Sequence, residues 1–269
     1  MNTNQLYEVL ILGATPEGLA LAELLGAAGR KTALISSNFI YRTKKHCLDT
    51  VDLYEQTGIF LAYNHGIFSL TLSDKTAVHG QSLVIATGTK PNKSSLKNHN
   101  ILYTSAKITT KQKERQAVVF GSDTTAVDYA LDLAKKFRYV YLCSNTFELV
   151  CDKRHLIKLN NQGNIVHLPG CNVVSCRNDK EGKIAEVYLD TYDTIRASAL
   201  VMSLGRTPNV PAFLKRFIHI DSDGSVAVTL NNESTKVPGV YALGAITKKP
   251  NKKDISKVAN ILNAKFGGS

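Results

Sequence analysis

The chain has 269 residues, 43% of them hydrophobic and 20% charged. That is material for one large or two modest cores and excludes a low-complexity chain. Five cysteines, an odd number at this length, exclude the disulfide framework of a small secreted module. The net charge of +11 raises nucleic acid as a partner, but the lysines and arginines are spread out; the one dense cluster, Lys248, Lys249, Lys252, Lys253 and Lys257, has Asp254 within it and reads as a solvated face.

In chain order, residues 7–13 ("YEVLILG") form a largely apolar run of the kind buried on both faces of a parallel sheet. Pro16 stands in the first turn of the following helix, "GLALAELLGAAG", which Gly29 stops. With "KTALIS" as a second strand this makes a βαβ unit of dinucleotide-fold size. The first run is short and leads into a glycine turn, so it reads as a strand and not as a signal peptide. No other stretch is long enough for a bilayer, and a soluble cytoplasmic protein without a membrane partner is expected. Two short strands follow at "GIFSLTLS" and "SLVIATG", then a polar stretch over 95–114 where a domain crossing is placed.

A second βαβ unit begins at "AVVFGSD", with a helix over Thr124–Phe137 that carries Asp128, Asp132, Lys135 and Lys136 on one side. Asp132 and Lys136 stand in the favourable i,i+4 order. "YVYLCS", "NVVSC", "AEVYLDT", "ALVMSLG" and "GSVAVTL" read as strands, and "GVYALGA" precedes a closing helix near Ser256–Phe266. The fold class is therefore α/β, with two Rossmann-like dinucleotide-binding domains of FAD/NAD(P) type, the second inserted into the first. The boundaries are 1–103 with 208–269 for the first domain and 104–207 for the second.

Five landmarks, "GATPEG" at 13–18, "ATGTKP" at 86–91, "GSDTTA" at 121–126, "GRTPN" at 205–209 and "VPGVYALGA" at 237–245, stand in an order that resembles the thioredoxin-reductase branch of the pyridine-nucleotide disulfide oxidoreductases. The resemblance covers nearly the whole chain. It implies FAD on the first domain, held by Gly13, Thr15, Pro16, Gly18, Ser36, Thr87, Gly88, Gly244 and Ala245 or their surroundings. Several of these depart from the family pattern. Thr15 replaces a glycine that lets the backbone approach the pyrophosphate. Ser36 and Ser37 replace an acid that binds the adenosine ribose, and a hydroxyl lacks its bidentate, charge-assisted pairing. Ala245 replaces an aspartate.

At the second turn, Gly121, Asp123, Thr125 and Ala126 stand where the resemblance puts the NAD(P)H pyrophosphate. Asp123 is an N-cap residue and sets a carboxylate at the positive end of the helix, so NAD(P)H is not the expected ligand. "CSNT" at 143–146 also lacks the arginines that read a 2′-phosphate in the family. The redox C-x-x-C is replaced by "TSAK" at 104–107, with Thr104 and Lys107 in place of the cysteines. Cys171 and Cys176 are spaced C-x4-C, but on a strand they lie about 16 Å apart and point to opposite faces, so no disulfide is expected. Cys47, preceded by Arg42, Lys44, Lys45 and His46, is the candidate catalytic thiol. The seven histidines show no metal spacing, and no metal is expected.

The functional expectation is a divergent flavoprotein oxidoreductase without dithiol disulfide-reductase activity, its small-molecule or protein redox partner unknown and a homodimer left open. The alternatives are a catalytically inactive relative serving as a nucleotide-binding, regulatory or protein-binding module, and an anion- or nucleic-acid-binding role for the Lys248–Lys257 face.

Overall fold

From Val9 to Leu12, strand β1 (Leu6–Leu12) alternates its side chains between two cores, which is why that half is apolar at every position, while Glu8 nearer its start pairs with Arg30 at 3.5 Å. Leu10 and Leu12 enter one core with Tyr7, while Val9 and Ile11 enter the other. Each such fully buried aliphatic side chain is worth roughly 1.5–3 kcal/mol against exposure. The computed structural model describes residues 5–37, 50–234 and 236–267. Helix α1 (Pro16–Ala27) starts on the proline and is followed by Gly29 at φ 73°, the left-handed stop. Next come β2 (Thr32–Ile35), β3 (Val51–Tyr54), β4 (Gly58–Asn64), β5 (Ile67–Leu72) and β6 (Ala77–Ile85). Strands β3 and β4 lie outside the sequence reading.

The chain then leaves this unit through β7 (Thr89–Pro91). A second unit holds β8 (Gln112–Phe120), α2 (Thr124–Ala134), β9 (Phe137–Ser144), α3 (Lys153–Asn160), β10 (Ile165–Pro169), β11 (Val173–Asn178), β12 (Ile184–Leu189), β13 (Ile195–Arg196) and β14 (Ala199–Met202). The return runs through β15 (Arg206–Pro208), which pairs with β7, to β16 (Val240–Ala242) and α4 (Lys253–Phe266).

The two compact units are residues 1–90 with 207–269, and 91–206. The first crossing thus lies at 90/91, whereas the sequence reading placed it at 103/104. Residues 92–103 go with the second unit because their backbone and apolar side chains are used there. Leu102 N–H donates to Leu200 O at 2.9 Å, Leu102 O accepts from Met202 N–H at 2.8 Å, and Ile101 is buried beside Val118 and Leu200.

In the first unit, β3, β2, β1, β6 and β16 are parallel in that order, so their carboxyl ends share one edge. The amino half of β6 instead pairs antiparallel with β5, and β5 with β4. Helices α1 and α4 cover one face through Leu21, Leu25, Val258 and Leu262. In the second unit, β10, β9, β8 and β14 form a parallel sheet, and β11, β12 and β13 an antiparallel one.

Two expected elements are corrected, and one helix is added. Helix α2 ends at Ala134, because Phe137, fully buried, opens β9. "GSVAVTL" is not a regular strand: Val226 makes isolated bridges to Ile220 and Thr247, after a turn on Asp221–Ser225. Helix α3 was not foreseen; it is polar, with only Leu159 buried.

Candidate functional site

The parallel sheet of the first unit ends in Gly13, Ser36, Thr87–Gly88 and Gly244, which places the cofactor-site candidates along one edge. Gly13 has φ 110°, and a Cβ there would stand 2.3 Å from Ala86 O. Thr15 is the N-cap of α1, its hydroxyl accepting from Gly18 N–H at 3.3 Å. Pro16 has no N–H, so this turn offers an anion fewer donors than a glycine turn would. Gly18 is bare because a Cβ would meet Gly13 O at 2.2 Å.

Gly88, at φ 61°, lies under the Thr15 methyl. Thr87 Oγ1 donates to Asn209 O at 2.7 Å and Asn209 N–H to Gly88 O at 2.8 Å, which joins the "ATG" and "GRTPN" landmarks. Ser36 is half-buried, with its N–H on Tyr54 O at 3.0 Å, and Ala245 is exposed. Gly244 has φ 74°, and a Cβ on it would stand 2.8 Å from Glu17 Cδ and 2.9 Å from Oε2. The Glu17 carboxylate thus lies over Gly244, a contact absent from the sequence reading. Its signal was an acid inside a turn of small residues.

At the second unit's turn, Asp123 is the N-cap of α2: Oδ1 accepts from Ala126 N–H at 2.9 Å and from Ser203 Oγ at 3.1 Å. Gly121, at φ 149°, leaves no space for a Cβ between Ser203 O at 2.7 Å and the Ala126 methyl at 2.9 Å. Thr125 is half-buried in the first turn. Downstream, His155 is held between two acids, Nδ1 to Asp152 Oδ1 at 2.8 Å and Nε2 to Asp128 Oδ1 at 3.2 Å, which ties α3 to α2. This pairing holds the Asp152 carboxyl below the usual range.

Ser144 donates to Thr146 O at 2.8 Å and stands 2.8 Å from His167 Nε2, so the imidazole is the donor in that pair. Burial lowers the His167 pKa from its ordinary value of about 6.5. The folded chain therefore binds fewer protons at His167 than the unfolded one. Its contribution to stability is complete above about pH 6.5 and is lost as the pH falls toward the lowered value. In urea titrations across this range, His167→Gln is expected to flatten the acid limb of the stability curve. An acid limb identical to that of the parent chain would refute the assignment.

Residues 104–107 form a single turn in which Thr104 Oγ1 accepts from Ala106 N–H at 3.3 Å. Cys143, Cys151, Cys171 and Cys176 are free. Burial is the first cause raising all four thiols, Cys143 furthest, so none is poised as a thiolate. Cys171 has Cys143 as its thiol neighbour, while Cys176 Sγ accepts from Asn98 Nδ2 at 3.1 Å. Cys47, with Arg42, Lys44, Lys45 and His46, lies outside the described residues. Among the described residues no group of three or more His, Cys, Asp or Glu is arranged for a metal, and no helix is long and apolar enough to cross a membrane. Lys248, Lys249, Lys252, Lys253 and Lys257 are exposed, with Lys257 paired to Asp254 at 3.1 Å.

The sequence pattern of the pyridine nucleotide-disulphide oxidoreductases matches residues 49–264, and the chain belongs to that family of flavoprotein oxidoreductases. It is 25% identical over 297 aligned residues to ferredoxin–NADP reductase 1 of Lysinibacillus sphaericus (strain C3-41), covering 91% of this chain and 83% of that one. It is 21% identical to the F component of alkyl hydroperoxide reductase of Xanthomonas campestris pv. phaseoli, over 91% of this chain but only 53% of the relative, so it spans about half the length of that protein. The T. acidophilum thioredoxin reductase structure superposes with a TM-score of 0.82 at 17% identity, over 97% of this chain and 99% of that one. The architecture is that of a thioredoxin reductase.

Proposed function

We propose that the protein is an FAD-binding oxidoreductase whose electrons pass neither through a dithiol at 104–107 nor through NAD(P)H bound at the Asp123 turn. The observation that carries the flavin half is the carboxyl edge of the first unit's sheet, where the turns at Gly13, Gly88 and Gly244, at φ 110°, 61° and 74°, follow the ends of three neighbouring parallel strands. Ligands of open α/β sheets lie outside that edge, and a dinucleotide needs close backbone approach there. The residues fit FAD: Gly13, Thr15 and Gly18 would face its diphosphate, Ser36 its adenosine, and Gly88 and Gly244 the remainder. When bound, FAD supplies one- and two-electron exchange. The chain's own part is to bind and orient it, with Thr87 and Asn209 fixing the Gly88 turn.

After saturation with FAD and removal of the unbound fraction, the purified protein is expected to retain flavin absorption bands. A colourless protein would sink this reading. The Asp123 carboxylate and the residues at 104–107 favour a second one, a catalytically inactive nucleotide-binding module. The two part at turnover: an oxidoreductase cycles its flavin between a chemical reductant and an acceptor such as a quinone, whereas an inactive module holds it without passing electrons to the acceptor.

A further inference from the structure

We propose that Glu17 is the residue that selects what the cofactor carries beyond its diphosphate: a neutral, hydroxyl-bearing chain, recognised by the carboxylate that Glu17 holds over Gly244. The inference rests on the flavoprotein reading above and adds to it a specificity-determining residue.

Three observations carry it. The first is position. Along the parallel sheet, β2 ends at Ser36, β1 at the Gly13 turn, β6 at Thr87–Gly88 and β16 at Gly244. In a dinucleotide fold the adenosine lies toward the end of the second strand and the diphosphate at the helix start. The other half of the molecule is then carried over β6 and β16, on the side where Glu17 lies. The second is space. Gly244 is at φ 74°, and a Cβ there would come within 2.8 Å of Glu17 Cδ and 3.0 Å of its Cγ. The missing side chain at 244 is the room that the glutamate occupies.

The third is chemistry. Glu17 is half-buried, and among the described residues its carboxylate has no hydrogen bond or ion pair. Acids in other turns of the same unit are satisfied: Asp254 is paired with Lys257 and accepts from Asn251 N–H, and Asp223 accepts from Ser225. A partly desolvated carboxylate without a protein donor is an acceptor site. Hydroxyl groups satisfy it, and a further phosphate would be repelled. Of the nucleotides that would suit the edge, FAD carries such a chain, the ribityl, next to its diphosphate, and ADP ends before it.

The test uses the full chain, with FAD and ADP as paired probes in fluorescence and calorimetric titrations of the parent, Glu17→Ala and Glu17→Gln. Glu17→Ala is expected to weaken FAD about tenfold or more while leaving ADP within about twofold, since ADP has nothing at that position. Glu17→Gln keeps the shape and loses the charge, so it is expected to fall between. Retained ADP affinity doubles as the check that the turn is folded. If FAD and ADP change together, or neither changes, Glu17 is a bystander and the inference fails while the flavin reading stands. Tighter FAD binding by Glu17→Ala would mean that the carboxylate repels the diphosphate, which also overturns it. A parent chain that binds neither probe ends the flavin reading, and this inference with it.

Discussion

Gly13→Ala is expected to destabilise the first unit by about 4 kcal/mol, a sum of backbone strain and overpacking. At φ 110° an L-residue is strained whatever surrounds it, and here the surroundings are also closed: a Cβ would lie 2.3 Å from Ala86 O, 2.6 Å from Ala86 C and 2.8 Å from Thr87 Cα. All three are backbone atoms, and Ala86 N–H is itself bonded to Leu12 O at 2.8 Å. No side chain can swing away to relieve the contact, so β1 and β6 must part. Gly66 provides the comparison, with φ 80° but nothing within 4 Å of a Cβ. Gly66→Ala carries the conformational term alone, about 1 kcal/mol. Urea unfolding of the two variants separates the terms, and a Gly13→Ala loss no larger than that of Gly66→Ala would show that the β1–β6 edge is looser than described. The position is demanding before any cofactor is considered. Packing of the fold alone accounts for a glycine there, so flavin binding rests on the whole edge and not on this turn.

What the sequence made legible was local. A stretch apolar at four successive positions, Val9 to Leu12, has few places to go except between two covered faces, and that half of β1 lies there. The capping role of Asp123 was readable because an N-cap bonds three residues ahead. Its second partner, Ser203, comes from a distant strand end and left no local signal. Strand β4 escaped because it is a sheet edge whose burial does not alternate cleanly, with Ile59 and Phe60 about half exposed. Helix α3 escaped because its sequence, "KRHLIKLN", buries almost nothing. It is held by the Asp152 cap and by His155 reaching Asp128 on α2, both invisible to an apolar period. The first domain boundary was misplaced for a related reason: residues 92–103 look polar, yet their backbone bonds and a few apolar side chains commit them to the second unit. Glu17 stands in plain view inside "GATPEG", but its meaning depends on Gly244, far along the chain. Contacts between strand ends are set by topology, and a single sequence does not show topology.

Asp123→Gly is expected to raise the affinity of the second unit for a pyridine dinucleotide at least tenfold while lowering stability by no more than about 1 kcal/mol. In the parent chain the first free N–H groups of α2 are partly spent: Ala126 N–H donates to Asp123 Oδ1 at 2.9 Å, and Ser203 Oγ donates to the same oxygen at 3.1 Å. A diphosphate at this turn would find its donors engaged and a carboxylate in their midst. At a separation of about 4 Å and the effective dielectric of a protein surface, the repulsion per charge pair is about 4 kcal/mol, reduced by solvent because Asp123 is only half-buried. Removing the carboxylate frees two donors and deletes the repulsion, at the cost of one cap. NADH and NADPH are expected to gain alike, because residues 144–147, Ser144, Asn145, Thr146 and Phe147, contain no cation to read a 2′-phosphate. Asp123→Asn separates charge from geometry: it keeps a capping oxygen and loses the charge, so most of the gain follows if repulsion is the barrier and little follows if the engaged donors are. Titration of both variants with NADH and NADPH decides the matter. If neither binds more tightly than the parent chain, the carboxylate is not what keeps a dinucleotide from this turn, and the proposal that electrons enter elsewhere loses its structural basis.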